Sequence, residues 1–508
     1  MTSVPSIDPR TGEVVEIVTE ETSAAEVGIL AQGALAALPD LDALGRSGRA
    51  VLLRASADAL ETRRAEILAL ADRETALGAP RLGGELTRTC FQLRLFAEVL
   101  EEGGYLEAAI DHAGESAMGA RPDLRRMLVP LGPVAVFGAS NFPLAFSVPG
   151  GDTASALAAG CPVVVKAHES HPATSQLCFQ LLSDALIGAG APPATLALVH
   201  GREAGAALVV HPAIRAVGFT GSLLGGRALV ALIESRPDPI PFYGELSSLN
   251  PLVVTPAAAA ERAEEIGTGF ASSFTLGAGQ FCTKPGLAFI PSGVDGDRLV
   301  AAMATAVTRT EPQTLLNERI VTSFKEATAR MSARQGVTVA ATGRGDTTSG
   351  FIAVPVLLTT TAQGMAPEMR EECFGPVSVV ARYDSEADLF DALDLLPASL
   401  TTTVHTGHEE SELPSAVSAA LKDRSGRLVY NGYPTGVAVS WAQHHGGPWP
   451  STNSSHTSVG TSAIRRFLRP MAWQSATDAL LPPELRDGDA GVPRRVDGEL
   501  VLPLVGQA

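Results

Sequence analysis

The sequence predicts an α/β protein with two doubly wound domains. Three observations carry this reading. The chain has 508 residues, 45% of them hydrophobic, which is length for about three domains at ~150 residues each. A helical first hundred residues gives way to two regions where short apolar strands alternate with helices. Glycine-rich turns follow several of those strands, the place where α/β sheets receive ligands.

Residues 23–100 are rich in Ala, Leu and Glu, and apolar positions recur at helical spacing from Ala50 to Leu70, so this stretch predicts helix. Beyond Pro122, strands are predicted over 134–137, 162–166, 196–199 and 214–219, with helices over 153–159, 170–188, 203–210 and 223–234. That alternation implies a parallel sheet covered by helices. A second alternating region spans 251–430, with strands over 287–290, 376–380 and 400–404 and helices over 299–307 and 386–395. The chain after Trp441 is loop-rich. Residues 127–151 carry no charge over 25 positions, long enough to cross a bilayer. Pro130, Pro133, Pro143, Pro149 and Asn141 interrupt any spanning helix there, so the stretch reads as buried strand and loop.

Composition narrows the function. A net charge of −17 argues against nucleic acid and anionic membrane as partners. Nucleotide cofactors remain open, because helix N-termini bind phosphate even in acidic proteins. Five cysteines without a CxxC pair predict no disulfide framework and fit a reducing cytoplasm. The N-terminal residues show no signal-peptide pattern. No metal centre is predicted: His405 and His408 lack a third ligand and there is no HExxH.

The chemistry centres on Cys282, in Gly277-Ala-Gly-Gln-Phe-Cys-Thr-Lys-Pro-Gly286. Free cysteines are usually buried and inert, but three glycines and a lysine make this turn open to substrate, and Lys284 is placed to lower the thiol pKa. A nucleophilic thiol also needs a base and an oxyanion site. Asn141 follows an apolar strand in Gly138-Ala-Ser-Asn-Phe-Pro and offers an amide for an oxyanion, or simply turn geometry. Glu245 is a lone carboxylate in an uncharged stretch; if buried, its pKa rises toward that of a general base near pH 7, and if not, it is a solvated strand end. Three further features suit a dinucleotide. Lys166 ends a strand with Glu169 after it. The turn Gly218-Phe-Thr-Gly221-Ser222-Leu-Leu-Gly225 opens a helix where backbone and hydroxyl can meet a pyrophosphate. Glu372 precedes a strand and can reach a ribose. Each also has a bland reading as a solvated side chain or a common βα turn.

Together and in this order, Asn141, Lys166, Gly221-Ser222-x-x-Gly225, Glu245, Gly279-Gln-Phe-Cys282 and Glu372-Cys-Phe374 resemble the aldehyde dehydrogenase superfamily across nearly the whole chain. Phe137-Gly-Ala-Ser-Asn-Phe-Pro, Lys166-Ala-His, Phe281-Cys-Thr-Lys-Pro-Gly and His445-Gly-Gly-Pro-Trp-Pro-Ser-Thr are similar to the α-ketoglutaric semialdehyde (2,5-dioxovalerate) dehydrogenases, a branch that also holds NADP-dependent fatty aldehyde dehydrogenases. The resemblance implies the aldehyde dehydrogenase fold, with a small β oligomerisation domain besides the two α/β domains. It divides the chain into a dinucleotide-binding domain (1–105 and 128–247), a catalytic domain (248–440), and an oligomerisation hairpin and C-terminal arm (106–127 and 441–508).

It also implies roles. Cys282 attacks the aldehyde, Asn141 and the Cys282 backbone N–H hold the oxyanion, and Glu245 activates water for thioester hydrolysis. Lys166 and Glu372 hold riboses, Phe374 packs by the nicotinamide ribose, and a homodimer or homotetramer is expected. Cofactor choice between NAD and NADP leans to NAD, because Glu169 can accept from a ribose 2′-OH and repel a 2′-phosphate; Arg202 offsets this by offering a phosphate partner. The expected substrate is α-ketoglutaric semialdehyde, with Arg121, Arg125 and Arg126 as candidates for its distal carboxylate. A fatty aldehyde in a tunnel lined by Phe142, Phe146 and Trp449 is the alternative. A Cys-dependent hydrolase is a distant rival; it would need a histidine base beside Cys282 and no nucleotide site.

Overall fold

The computed structural model describes residues 2–345, 349–488 and 490–503. The βα alternation closes into two largely parallel sheets. The first has the strand order Phe242–Glu245, Ala216–Thr220, Val134–Phe137, Val163–Lys166, Leu196–Val199, and every neighbouring pair is parallel. The chain starts in the middle at Val134–Phe137, builds outward to one side, then returns to the other. This leaves a crevice between Val134–Phe137 and Ala216–Thr220 at their carboxyl ends, the kind of switch point where doubly wound sheets bind ligands.

The second sheet orders Thr338–Thr342, Val356–Thr361, Val377–Tyr383, Leu287–Pro291, Leu252–Val254, Ser399–His405 and Ser425–Tyr430. Only its first pair is antiparallel. A third, five-stranded sheet joins Leu468–Gln474, Leu124–Pro130, Ala108–Asp111, Arg494–Val496 and Glu499–Val501.

Residues 23–100 form four helices, Ala24–Ala43, Gly45–Thr62, Arg64–Thr75 and Ala79–Glu102. A capping box between Ser23 and Glu26 starts the first, satisfying two N–H groups that no helix turn can reach. The third ends at Ala76 in a left-handed conformation, and Gly103 closes the fourth in the same way. Leu53, Leu60, Leu93 and Phe96 pack them against Val134, Val136, Val163 and Val165 of the first sheet. Ala24–Ala43 has the length and composition to cross a membrane; here Val27, Ala31 and Ala34 cover Val164, Ala197 and Val199 instead.

Two features escaped the sequence pattern. Ser3–Asp8 and Glu13–Glu20 pair as an antiparallel hairpin. The segment after Trp441, expected as an arm, divides in two. Leu246 N–H donates to the Ser451 carbonyl at 2.8 Å and Thr452 bridges Glu245, so the chain around Ser451 runs beside the edge strand Phe242–Glu245 of the first sheet. The chain then returns to the third sheet as Leu468–Gln474.

Candidate active site

The turn before Cys282 is held in an unusual shape. Gly277, Ala278 and Gly279 have φ of 56°, 59° and 65°, all left-handed, where glycine is at ease and alanine is not. At Gly279 the demand is absolute: a Cβ would lie 2.2 Å from the Gly375 carbonyl oxygen. The turn thus presses directly on the loop that carries Glu372 and Phe374. Behind it, buried Asn250 donates from Nδ2 to the carbonyls of Cys282 at 2.8 Å and Lys284 at 3.0 Å. Its Oδ1 accepts from Ser248 Oγ at 2.7 Å and Thr401 Oγ1 at 3.1 Å. Sequence reasoning missed Asn250. Its only signal was an amide side chain placed just before Pro251 at the start of a strand.

Glu245 and Asn141 both lie close to the Cys282 turn. Glu245 ends the strand Phe242–Glu245 and is 3% exposed; Asn141, 6% exposed, sits in the turn after Val134–Phe137. Asn141 Nδ2 donates to the Gln280 carbonyl at 2.8 Å, two residues before the thiol. The unexpected member is His445, itself buried. Its Nε2 lies 3.5 Å from Cys282 Sγ and 3.0 Å from Glu245 Oε1. Ser458 Oγ donates to the other carboxylate oxygen at 2.9 Å, and Thr457 Oγ1 fixes the His445 backbone N–H at 2.8 Å. The paired histidines before Gly446-Gly447 were the available signal for this residue. The three ligand atoms lie within 4.8 Å of one another, close enough for a thiophilic cation to compete for the thiol; in the metal-free cluster they can share a proton.

The electrostatics correct two expectations. Burial pushes the Glu245 carboxyl up, but His445 and Ser458 outweigh it and hold it at about 2. Glu245 is therefore ionised across the working range and is not a free base near neutrality. Burial and the neighbouring Glu245 carboxylate push the Cys282 thiol well above its ordinary value. Lys284 does not relieve this. Its ammonium points away and donates to the carbonyls of Cys373 at 2.7 Å, Val377 at 2.9 Å and Gly375 at 3.3 Å. With charge-assisted bonds of about 1.5–3 kcal/mol each, that anchorage is structural.

The residues suited to a dinucleotide line the carboxyl ends of the first sheet. Lys166 ends its strand with Nζ 3.2 Å from Glu169, whose side chain is 65% exposed. Ser222 caps the helix Leu223–Glu234 by accepting from Gly225 N–H at 3.2 Å, which leaves its hydroxyl hydrogen free to donate. A Cβ at Gly221 would meet the Phe219 ring at 2.7 Å. The N-terminal amides of that helix, the capping hydroxyl and the lysine form a cradle that fits a pyrophosphate and its ribose. Arg202 is exposed at the first turn of Arg202–Val210, and strand register sets Lys166 beside Val199, just before it. Glu372 is partly buried, and burial raises its carboxyl to about 7 despite nearby Lys284 and hydrogen bonds from Ser247 and Ser248. Phe374 is partly exposed on the same loop.

The arginines expected to hold a distal carboxylate are elsewhere. Arg121 pairs with Asp111 and Asp497, Arg125 with Asp123 and Asp487, and Arg126 with Glu107, all around the third sheet. Trp449 is half-exposed with Arg227 over its ring at 5.4 Å. Phe142 is 5.5 Å from Phe281, the residue before the thiol, and Phe146 is 6.4 Å from His445, centroid to centroid.

The model for the aldehyde dehydrogenase family matches residues 1–471. An α-ketoglutaric semialdehyde dehydrogenase 2 of Azospirillum brasilense is 42% identical over 502 residues, covering 97% of this chain and 95% of its own. An α-ketoglutaric semialdehyde dehydrogenase of Acinetobacter baylyi is also 42% identical, over 94% of this chain and 91% of its own. Among solved structures, a mutant aldehyde dehydrogenase C of Pseudomonas syringae with NAD+ and octanal superposes with a TM-score of 0.79. It is 22% identical and covers 94% of this chain and 95% of that one.

Proposed function

The chain belongs to the aldehyde dehydrogenase family, and we propose that its substrate is α-ketoglutaric semialdehyde, oxidised to 2-oxoglutarate at Cys282. Aldehyde oxidation follows from the family; the substrate rests on the two relatives at 42% identity. The observation that carries the mechanism is the buried Cys282–His445–Glu245 cluster beside Asn141.

Cys282 Sγ adds to the aldehyde carbon as its proton passes to the hydrogen-bonded Glu245–His445 pair, which holds it between Oε1 and Nε2. The second N–H of Asn141 Nδ2 and the Cys282 backbone N–H are the donors for the oxyanion. A nicotinamide dinucleotide held at the carboxyl ends of the first sheet would supply the hydride acceptor. The resulting thioester is opened by water, whose proton goes to the Glu245–His445 pair; the acid departs and the Cys282 thiol is restored.

Lys166, Ser222, Gly221, Gly225 and Glu372 would hold the dinucleotide, with Phe374 against the nicotinamide ribose. Glu169 beside Lys166 favours NAD, and Arg202 keeps NADP usable. The stacking of Phe142 under Arg81 and of Phe146 under Arg88, at 4.7 and 5.1 Å, favours a charged substrate over the fatty aldehyde alternative. A homodimer or homotetramer is supported by Met471, Leu500 and Val501, apolar and exposed on the two edge strands of the third sheet; such edges invite pairing with another chain. We place the enzyme in the cytoplasm. The histidine that a Cys-dependent hydrolase would require is present, so the deciding test is redox. Absorbance of reduced nicotinamide is followed with α-ketoglutaric semialdehyde, succinic semialdehyde and octanal against NAD and NADP. Highest kcat/KM with α-ketoglutaric semialdehyde and NAD supports the proposal; preference for octanal overturns it.

A further inference from the structure

The helix Ala79–Glu102 turns one polar face toward the active site. Arg81, Glu85, Arg88 and Gln92 recur at helical spacing along it, and each carries a buried polar atom without a hydrogen-bond partner: Arg81 Nη1, Glu85 Oε2, Arg88 Nη1 and Gln92 Nε2. Buried polar atoms are almost always paired, so four in succession on one face mark a place made for something else.

The four are not equal. Glu85 Oε1 is occupied by the Leu144 and Ala145 N–H groups at 2.8 and 2.9 Å. Arg81 lies 3.9 Å from Glu85, donates to the Asn141 carbonyl at 2.7 Å, and sits between the Phe142 and Phe281 rings. It is a structural support for the oxyanion turn. Gln92 is 4% exposed, and its Nε2 is the atom that a Cβ on Gly151 would meet at 2.8 Å.

Arg88, like Gln92, makes no side-chain hydrogen bond among the described residues, and it alone of the three charged members makes no ion pair within 4 Å; its guanidinium carbon lies 5.1 Å from the Phe146 ring, and it feels Glu85, Cys282 and Glu245 only at longer range. That ring is 6.4 Å from His445, whose Nε2 is 3.5 Å from Cys282 Sγ. The guanidinium is therefore held over an aromatic wall, one side chain beyond the catalytic imidazole. The buried acids around it already have cations: Glu85 has Arg81, Asp152 has Arg466, and Glu245 has His445. An unpaired cation in such a place is costly unless a ligand brings the missing negative charge.

We propose that Arg88 is the anchor for the distal carboxylate of the substrate. A guanidinium presents a planar fork that matches a carboxylate with two parallel bonds. With the aldehyde carbon at Cys282 Sγ, the other end of a short semialdehyde would lie across Phe146 against that fork. The inference rests on the dehydrogenase reading above and adds the requirement for an acidic tail.

The test compares Arg88→Met and Arg88→Lys with the wild-type enzyme on two matched pairs, α-ketoglutaric semialdehyde against pentanal and succinic semialdehyde against butanal. The readout is the ratio of kcat/KM, acid over neutral, with KM and kcat separated. In Arg88→Met that ratio falls about 100-fold, mostly through KM, as loss of a paired charge requires; Arg88→Lys recovers part of it. A ratio unchanged in Arg88→Met, even with both rates lowered, overturns the proposal and makes Arg88 structural. A wild-type preference for succinic semialdehyde that Arg88→Met removes upholds the anchor while overturning α-ketoglutaric semialdehyde as substrate. A wild-type preference for the neutral aldehydes overturns both. If Arg88→Met does not fold, the wild-type preference and the Arg88→Lys ratio decide, and a lysine variant equal to wild type rejects the fork.

Discussion

His445→Gln separates the imidazole's two contacts. Glutamine can still donate to Glu245 but cannot take the proton of Cys282. A thiolate and an imidazolium 3.5 Å apart attract by about 5 kcal/mol at an effective dielectric of ~20. Much of that is cancelled, because the Glu245 carboxylate raises the same thiol. The net loss is then that of a hydrogen bond to a charged group, roughly 1.5–3 kcal/mol, which is about one to two pH units on the thiol. The assay is the pH dependence of Cys282 alkylation by iodoacetamide. His445→Gln should shift the profile to higher pH by one to two units and slow alkylation about 10- to 100-fold near neutrality. Glu245→Gln should shift it to lower pH, because the carboxylate that opposes the thiolate is gone. A His445→Gln profile that overlays the wild type would refute the proton transfer, and shifts of the same sign in both variants would refute the charge ordering.

Lys284→Met removes the donor shared by three buried carbonyls and should cost about 3–5 kcal/mol of stability, read by urea unfolding, while leaving the alkylation profile of Cys282 in place; a profile shifted up by a unit would restore Lys284 as the activator. Gly279→Ala forces a Cβ to 2.2 Å from the Gly375 oxygen and should abolish activity and lower the melting temperature by several degrees. Glu372 offers a pH signature. Its carboxyl, raised by burial from 4.5 to about 7, becomes a full acceptor for ribose hydroxyls only above that value. NAD affinity measured by calorimetry should therefore strengthen as pH rises through about 7, and Glu372→Gln should flatten the curve. The same shift withdraws folding stability between pH 4.5 and about 7, where the unfolded carboxyl has ionised and the folded one has not.

Local chemistry was legible and distant pairing was not. The strands over 134–137 and 196–199 and the helix over 223–234 can be read to the residue, since apolar runs bounded by Gly and Pro fix them locally. The hairpin Ser3–Asp8 with Glu13–Glu20 was hidden because its second strand is exposed along most of its length and shows no buried alternation. Cys282 and Asn141 stood out because each lies in a turn after an element boundary, and Glu245 because it is a lone carboxylate at the end of a strand. His445 was not, since it comes from a loop 200 residues from Glu245 and no periodicity marks it. Arg88 lies in a stretch whose helical spacing gives it no distinction; only the packing shows that its guanidinium has no ion pair or hydrogen bond among the described residues.

The error over Glu245 has a single physical cause, and it applies to every buried acid near the site. Desolvation is a local property, so a carboxylate in an apolar stretch invites the expectation of a raised pKa. The compensating charge is not local. Glu245 takes His445 from 200 residues away, and Glu372 feels Lys284 across the turn and loop that Gly279 and Gly375 hold together; Asp152 meets Arg466 from 314 residues away, yet burial still raises its carboxyl. Where the partner hydrogen-bonds directly and a serine adds a second donor, as at Glu245, the pairing outweighs burial and the acid stays ionised. Where the cation is already committed to three carbonyls, as Lys284 is, burial prevails and Glu372 rises. The site thus holds one carboxylate fixed as an anion against His445 and another poised near neutrality. The difference is made by how many hydrogen bonds each partner has left to give.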